Sequence, residues 1–458
     1  MKVSSCPWGI GAKMQTNVVF ENEFGKLPAD AAQKTYTMAF NTNAVASNQN
    51  NTAPATIRGR RDPVEGIWGN NDVSGDIAVP VDYTAFGYWL AAAFAAPTTT
   101  KIADGKYQHV FKIQNNQPSF TLEKAFPGIG QYIREYGCKL SKMSFSVGGD
   151  GELVATISVM GTKEEIKQVP ISSSLIEPSF DRTQNFQARI KIGGEEAGKI
   201  LTVSLDIDFG LDGDTFTIGS NGFREGLCEG LMTISGQMEA FFKEPVYLQM
   251  AADSVETSME IIFTANENFS MSILMPEIKF SRTSPGVDGP GGVKSQITYN
   301  AYYNDAEQNS AIVFTLLNKH QSYDPDEQES ATVTLPTGEV YGKTVADLSE
   351  NLVIGDDGVV TGTLKHVTGY TGFSSTESEQ SGYYLPFSMI FPEGTTSATM
   401  QVVGGSGKKV SILGEASNVV RLGATPEEAK ARYVSIEYTD EEMTRVLKLD
   451  TSAVTYKE

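Results

Sequence analysis

The chain has 458 residues, a length that predicts about three domains, and its 56 acidic against 36 basic residues give a net charge of −20. Proteins that grip nucleic acid normally carry a basic surplus, so this composition disfavours a polyanion-binding protein. With 40% apolar and 10% aromatic residues the chain can build packed cores, which excludes global disorder.

Residues 1–165 are predicted to form a β-rich unit with one helix. Short alternating runs bounded by glycine, serine and asparagine, such as Ser119–Leu122 and Met143–Val147, are typical of strands. From Asp82 to Ala95 apolar residues recur at every third or fourth position, and Asp82 can cap the helix that this spacing predicts. We expect the aromatic side chains of this helix to pack against a sheet.

A polar stretch before this helix, residues 44–55, leads into a basic cluster of Arg58, Arg60 and Arg61. A loop of this length is long for a compact domain. Two interpretations stay open. The segment is either an inter-subunit loop that docks on an acidic patch of a neighbouring chain, or an ordinary solvated loop.

Two glycine-rich segments follow predicted strands. They contain Gly148, Gly149, Asp150 and Gly151 in one case, and Gly286, Asp288 and Gly289 in the other. Phosphate-binding loops of this composition run into a helix N-terminus, whereas both of these segments run into strands. We therefore predict structural β-turns and no cofactor.

Residues 185–318 repeat the order of features found in the first unit. Each feature recurs after an offset that falls from about 160 to about 138 residues, as expected if the first copy has longer loops. The matched pairs are Glu65-Gly66-Ile67 with Glu225-Gly226-Leu227, Ser74-Gly75 with Ser235-Gly236, the first helix with Glu244–Ala252, Ile113–Pro127 with Phe263–Pro276, and the two glycine-rich turns. The sequence therefore predicts two copies of one unit.

The last part of the chain is predicted to be a separate domain. Gln321–Ser330 is acidic and interrupted by a proline, which is typical of a linker. Residues 331–458 contain further strand patterns, such as Phe387–Phe391 and Tyr433–Tyr438, and favour an immunoglobulin-like β-sandwich. A short helix is predicted from Pro426, with Thr425 as its cap.

No catalytic or metal-binding pattern accompanies these units. The three cysteines and the three histidines are widely spaced, which argues against a disulfide framework and a zinc site. The sequence has neither a Walker motif nor a nucleophile elbow. We expect no enzymatic activity, no metal and no cofactor. We also expect no membrane anchor, because the longest apolar run, Tyr88–Ala96, is about half as long as a membrane span.

Several segments together resemble the tail tube (major tail) proteins of siphophages. The resemblance covers about residues 1–318 and is a pattern match without a catalytic signature. Its segments are Asp76–Leu90, Tyr107–Phe111, Pro118–Lys124, Leu140–Gly161 and Arg282–Pro290.

This resemblance implies a mainly β fold of two tandem β-sandwich or barrel units, each with one flanking helix, that join between subunits around a channel. Such a protein is a virion component without enzymatic activity, made in the host cytoplasm, and its stacked rings form the conduit for DNA ejection. The implied partners are copies of the same chain, the tape-measure protein and other tail proteins. DNA would only pass through, since an acidic wall does not retain it.

The stoichiometry of the ring follows from the number of units in each chain. Tube proteins with one unit close with six subunits, so two units per chain imply a ring of three chains with pseudo-sixfold symmetry. Six chains are the alternative if there is no duplication.

A second function also stays open. The C-terminal domain would make the chain a binding protein or adhesin that recognises carbohydrate or protein. Tyr370, Phe373, Tyr383 and Tyr384 are candidates for a carbohydrate platform.

Overall fold

The computed structural model describes residues 8–103, 105–172, 174–242, 245–287, 289–304, 308–324, 332–355, 358–370, 380–391, 395–405, 409–414, 417–439 and 443–457. The protein is mainly β, as the sequence predicts, with 55% of the described residues in strands and 9% in helices. It divides into two compact units. Unit 1 comprises Met1–Pro28, Thr37–Pro170 and Ser179–Glu327, and unit 2 comprises Ala29–Tyr36, Ile171–Pro178 and Gln328–Glu458.

The segment up to Asn318 contributes β1 (Gln15–Phe20), β2 (Tyr36–Met38), β3 (Thr42–Asn43), β4 (Ala46–Thr52), β5 (Ile67–Pro80), β6 (Thr98–Ala103), β7 (Lys106–Lys112), β8 (Phe120–Phe126), β9 (Gln131–Val147), β10 (Val154–Gly161), β11 (Lys163–Lys167), β12 (Ile176–Pro178), β13 (Ala188–Ile192), β14 (Glu195–Glu196), β15 (Ile200–Asp208), β16 (Leu211–Asp212), β17 (Cys228–Glu229), β18 (Thr233–Phe241), β19 (Thr257–Thr264), β20 (Ser270–Phe280), β21 (Lys294–Ala301) and β22 (Val313–Asn318).

The remaining strands are β23 (Thr332–Thr334), β24 (Glu339–Val340), β25 (Lys343–Thr344), β26 (Ser349–Ile354), β27 (Val360–Tyr370), β28 (Gln380–Ile390), β29 (Ser397–Val403), β30 (Val410–Ser411), β31 (Ser417–Gly423), β32 (Tyr433–Thr439), β33 (Met443–Leu449) and β34 (Val454–Lys457). The helices are α1 (Phe86–Phe94), α2 (Val246–Ala252), α3 (Val345–Leu348) and α4 (Pro426–Lys430). Within the described ranges, no helix combines the length and the hydropathy needed to span a bilayer.

Unit 1 contains two sets of antiparallel strands with the same order of pairing. In the first set β9 pairs with β8 and β11 through its first half and with β10 through its second half, β10 pairs with β5, and β5 pairs with β4. In the second set β20 takes the place of β9, with β19, β22 and β21 around it, followed by β18 and β15. The outer strands also match, since β1 pairs with β8 and β13 pairs with β19.

The register of these ladders matches as well. Val73 pairs with Gly161 in the first set, and Ile234 pairs with Ala301 in the second. Gly75 and Gly236, which the sequence comparison aligned, both lie where a neighbouring strand passes closely. A Cβ atom on Gly75 would be 2.4 Å from the carbonyl oxygen of Ala44, and one on Gly236 would be 2.1 Å from that of Ser204. Only glycine leaves room for these backbones.

The helices that follow β5 and β18 differ in burial. Every residue of α1 is buried. The helix begins at Phe86, with Ala85 and not the predicted Asp82 as its N-cap residue. The carboxylate of Asp82 accepts hydrogen bonds from the backbone N–H groups of Thr84, Ala85 and Phe86 ahead of the helix. No residue of α2 is buried. The segment after β22 covers α1, where the hydroxyl of Tyr323 donates to the carbonyl oxygen of Thr84 over 2.7 Å.

Unit 2 contains two sheets with a shared apolar core. One sheet has the order β23-β28-β27-β26, with β31 beside β28 and β34 beside β27. The other sheet pairs β30, β29, β32, β33 and β12 in that order. Leu385, Phe387 and Ile436 lie in the core between them. The helix predicted from Pro426 is present as α4, and the side chain of Thr425 caps it.

Candidate functional site

Seven strands of unit 1 lie side by side in one continuous antiparallel sheet. Their order is β4-β5-β10-β9-β15-β18-β21. The junction between β9 and β15 joins the two strand sets, with Val147 opposite Val203 and Phe145 opposite Leu205. A further junction is made by β7, an additional strand of the first half, which pairs with β22. Both junctions form within one chain.

Alternation of side chains gives this sheet one buried face and one polar face. Along β9, β10 and β15 the odd-numbered residues such as Met143, Ile157 and Leu205 are buried in the core. The even-numbered residues between them are mostly serine, threonine, aspartate or lysine and point to the other side. We call this side the polar face. The polar face extends across all seven paired strands, and no single sequence motif defines it.

Acidic residues outnumber basic residues on the polar face. On the seven strands, counting β9 from Leu140, its charged side chains are Asp72, Asp76, Asp206, Asp208 and Glu239 against Lys142 and Lys294. Arg224 pairs with Asp72, and Lys279 of β20 lies beside Asn300 at the end of the sheet. The hydroxyl of Ser158 donates to Asp76 over 2.6 Å. Partial burial opposes the ionisation of Asp206. The hydrogen bonds from Ser144 (2.7 Å) and Lys142 (3.0 Å) outweigh this effect and hold the pKa of Asp206 below its usual value. The face therefore carries a small net negative charge, since three of its five carboxylates are paired with cations.

The sheet ends in two edges that have no strand partner among the described residues. At one end β4 pairs only with β5. The N–H of Ala44 donates to the backbone carbonyl oxygen of Asp76 over 2.8 Å, so by alternation the N–H groups of Ser47 and Gln49 point away from β5. The N–H of Ser47 lies 3.4 Å from the carboxylate of Glu164. At the other end, β21 pairs with the last residues of β20, and the N–H of Ser281 donates to the backbone carbonyl oxygen of Thr298 over 2.9 Å. Residues 282–287 continue from there without strand structure. In the first set, the matching segment of β9 pairs with β15.

The glycine-rich segments lie beside these strands. Gly148, Gly149 and Gly151 have positive φ angles and, with Asp150, form the turn between β9 and β10. Gly286 and Gly289 lie in the longer connection between β20 and β21, and Asp288 lies outside the described residues. Neither segment leads into a helix.

The basic cluster lies in an exposed connection. Arg58, Arg60 and Arg61 are all exposed, between β4 and β5. The guanidinium of Arg60 pairs with Asp62 over 2.7 Å.

The tyrosines proposed for a carbohydrate platform do not form one. Tyr370, Tyr383 and Tyr384 are buried, and Phe373 lies outside the described residues. The hydroxyl of Tyr384 donates to the carbonyl oxygen of Tyr370 over 2.6 Å. The prediction for these three tyrosines is wrong because they belong to the core of unit 2 rather than to its surface.

The sequence analysis did not identify the polar face or the role of Arg224. The face emerges only when β9 and β15, which are more than fifty residues apart, become neighbours. Arg224 lies outside the predicted basic cluster, and its side chain is inserted between strands of the first set, with Nη1 3.0 Å from the carbonyl oxygen of Gly161. Its burial had no signal in the local sequence.

Comparison with known families gives one match. A family model described as phage tail tube protein matches residues 11–301. No match was found among curated proteins. The matched residues include the first strand set, the second set apart from β22, and all seven strands of the sheet that bears the polar face.

Proposed function

Because the chain belongs to the phage tail tube protein family, a family of structural proteins, we propose that it polymerises as stacked rings into the tail tube of a siphophage. The tube is the conduit for DNA ejection. The observation that carries this proposal is the pairing of β15 with β9, which joins the two strand sets edge to edge in one sheet. Repetition of the same step from chain to chain extends the sheet.

The repetition closes a ring. If the second set is treated as a copy of the first, the step from β9 to β15 within a chain recurs as a step from residues 282–287 of one chain to β4 of the next. Those two segments are the edges without a strand partner in the described chain. A head-to-tail contact of this kind closes a ring when its rotation divides the circle, and closure removes every exposed edge.

The ring contains three chains in this proposal. Two matched strand sets per chain give pseudo-sixfold symmetry with three copies, and six copies remain the alternative if the two sets are not equivalent. The polar face lines the channel, because the opposite face is filled by the core of unit 1. Its negative charge keeps DNA mobile, since few cationic side chains are present to displace counterions.

The expected partners are other copies of the chain, the tape-measure protein inside the tube and further tail proteins. Residues 331–458 serve as a decoration domain, whose acidic surface opposes the lateral association of tubes. No observation favours the alternative of an adhesin, since the tyrosines nominated for it are buried.

Electron microscopy of the purified protein in negative stain tests the function. We expect rings or tubes with a central channel. A protein that stays monomeric at high concentration and with tail-tip components present would contradict the proposal. The variant Gln49→Pro removes an N–H from the outer edge of β4 and is expected to block assembly, whereas Gln49→Ala keeps that N–H and is expected to assemble.

A further inference from the structure

Two long connections occupy matching places in the strand sets but differ in their surroundings. Residues 53–66 join β4 to β5, and residues 213–227 join β16 to β17 ahead of β18. The first connection, which we call the arginine loop, contains Arg58, Arg60 and Arg61 and is exposed over most of its length. The second, which we call the docked loop, packs on the first strand set of its own chain.

Arg224 anchors the docked loop. Its Nη1 lies 3.0 Å from the carbonyl oxygen of Gly161, and its Nη2 lies 2.5 Å from Oδ1 of Asp72. The hydroxyl of Thr162 donates to the carbonyl oxygen of Arg224. The carbonyl oxygen of Gly222 accepts a hydrogen bond of 2.8 Å from the N–H of Asn71. A buried guanidinium with this many acceptors fixes the loop in one position.

A lysine of the first set holds the end of the docked loop. The Nζ of Lys139 lies 2.6 Å from Glu229 and 3.0 Å from the carbonyl oxygen of Leu227. The side chain of Leu227 is only 3% exposed. At the matching end of the arginine loop, Ile67 and Trp68 are 64% and 63% exposed. Two large apolar side chains therefore lie open where the second set has a buried leucine.

The second set contains a surface that matches the docking place of Arg224. Gly161 corresponds to Ala301 through the pairs Val73–Gly161 and Ile234–Ala301, so Thr162 corresponds to Tyr302. Met160 and Asn300 directly precede the matched residues Gly161 and Ala301. Met160 pairs with Lys139, and Asn300 pairs with Lys279. A lysine is thus present at the same place in both sets, and Lys279 is exposed.

This surface has carboxylates where the arginine loop is basic: Glu256 is exposed, and Glu277 is only 6% exposed. The hydroxyl of Tyr302 donates to Glu256 over 2.6 Å, and the carboxylate of Glu277 accepts from the N–H of Asn304 over 2.5 Å. Desolvation, followed by the effect of these two carboxylates, raises the pKa of Tyr302 to about 12. We call Glu256, Glu277, Lys279 and Tyr302 together the Tyr302 surface.

We propose that the arginine loop docks on the Tyr302 surface of the neighbouring chain in the ring. The arginines face the exposed carboxylate of Glu256, which takes the role that Asp72 has for Arg224 within the chain, although the position that matches Asp72 is Thr233. Ile67 and Trp68 become buried, as Leu227 is, and Lys279 donates to the end of the loop as Lys139 does. This inference rests on the proposed function, because it takes a second copy of this chain as the occupant.

Charge reversal tests the proposal. The triple variant Arg58→Glu, Arg60→Glu and Arg61→Glu is expected to raise the protein concentration needed for half-assembly by about ten-fold or more. Lys26→Glu, Lys430→Glu and Lys457→Glu change the net charge equally at exposed sites elsewhere and are expected to leave that concentration unchanged. Adding Glu256→Lys to the triple variant is expected to restore part of the assembly. Equal assembly of the triple variant and its control would overturn the proposal.

The fluorescence of Trp68 reports on docking without any substitution in the arginine loop. In a background of Trp8→Phe, where Trp89 is buried, acrylamide is expected to quench Trp68 in the dissociated protein and much less in the assembled one. Quenching that is equal in both states would overturn the docking. Intact rings of the triple variant that fail to stack would place the loop between rings and overturn the proposed surface. A wild-type protein that forms no assembly would instead contradict the proposed function.

Discussion

Lys142 and Asp206 form an ion pair across the junction of the two strand sets, with Nζ 3.0 Å from Oδ1. Their side chains are 45% and 40% exposed, and pairs of this exposure contribute roughly 0–1 kcal/mol to stability. The junction is therefore held by the ladder between β9 and β15 and by the apolar residues beneath it. The pair itself neutralises one carboxylate of the polar face.

The first prediction separates these two contributions. Lys142→Ala is expected to lower the free energy of unfolding by less than about 1 kcal/mol. Leu205→Ala, beneath the same ladder, is expected to lower it by about 2–5 kcal/mol because it leaves a cavity at a fully buried site. Urea unfolding of both variants measures the difference. Equal losses would show that the ion pair carries more of the junction than its exposure implies.

The second prediction concerns the charge of the channel wall. Tubes in which Asp76, Asp206, Asp208 and Glu239 are all replaced by lysine are expected to retain short duplex DNA in a form protected from nuclease, with an affinity that falls steeply as salt is added. Wild-type tubes are expected to retain none.

Four matched replacements in unit 2 serve as the control for this experiment, at Glu339, Glu350, Glu427 and Glu437. DNA attracted by these tubes is expected to stay open to nuclease. Protected DNA in the control, or none in the first variant, would argue against the polar face as the channel wall.

The third prediction concerns a glycine of the second strand set. Gly236→Ala places a Cβ atom 2.1 Å from the carbonyl oxygen of Ser204 and 2.4 Å from the hydroxyl of Tyr299. We expect a loss of about 1–3 kcal/mol in the free energy of unfolding. Gly291→Ala, where no atom lies within 4 Å, is the control and is expected to be neutral. A neutral Gly236→Ala would mean that β15 does not approach β18 as described.

The fourth prediction concerns pH. Burial lowers the pKa of His109 from 6.5 to about 4, against hydrogen bonds to His320 and Asn318 that favour its charged form. Between those values the unfolded chain binds a proton at this residue and the folded chain does not. Its contribution to stability is therefore present above about pH 6.5 and is lost as the pH falls towards 4, at up to about 1.4 kcal/mol per pH unit.

His109→Gln removes this titration. Wild type and variant are to be compared by urea unfolding between pH 4 and pH 7. The difference in their free energies of unfolding is expected to shift against the wild type on acidification, by about 3 kcal/mol in total. A constant difference would show that His109 is not buried in its neutral form.

The sequence predicts which segments form helices and strands better than it predicts which strands pair with each other. The helix start at Pro426 and its cap at Thr425 are local, and the structure contains both. Helix α3 was not predicted, since a single turn of Val345–Leu348 has no periodicity to detect. Most of the predicted linker Gln321–Ser330 lies outside the described residues.

Long-range pairing explains the remaining differences. The sequence comparison matched Ile113–Pro127 with Phe263–Pro276, and so matched β8 with the first part of β20. The strand pairing instead places β8 in the position of β19. In the first half the hairpin of β6 and β7 lies between α1 and β8, whereas in the second half β19 follows α2 directly. This extra hairpin shifted the match between the two halves of the sequence. Gly87 weakens the helical pattern of α1, yet a Cβ atom there would be 2.2 Å from the ring of Tyr323. That contact joins residues more than two hundred positions apart.

The most direct test of the central claim is a cryo-EM reconstruction of the assembled tube. We predict three chains of 49.5 kDa in each ring, with β4 of one chain paired with residues 282–287 of the next and the polar face towards the channel. A ring of six chains, or a β4 edge that faces solvent, would contradict the account.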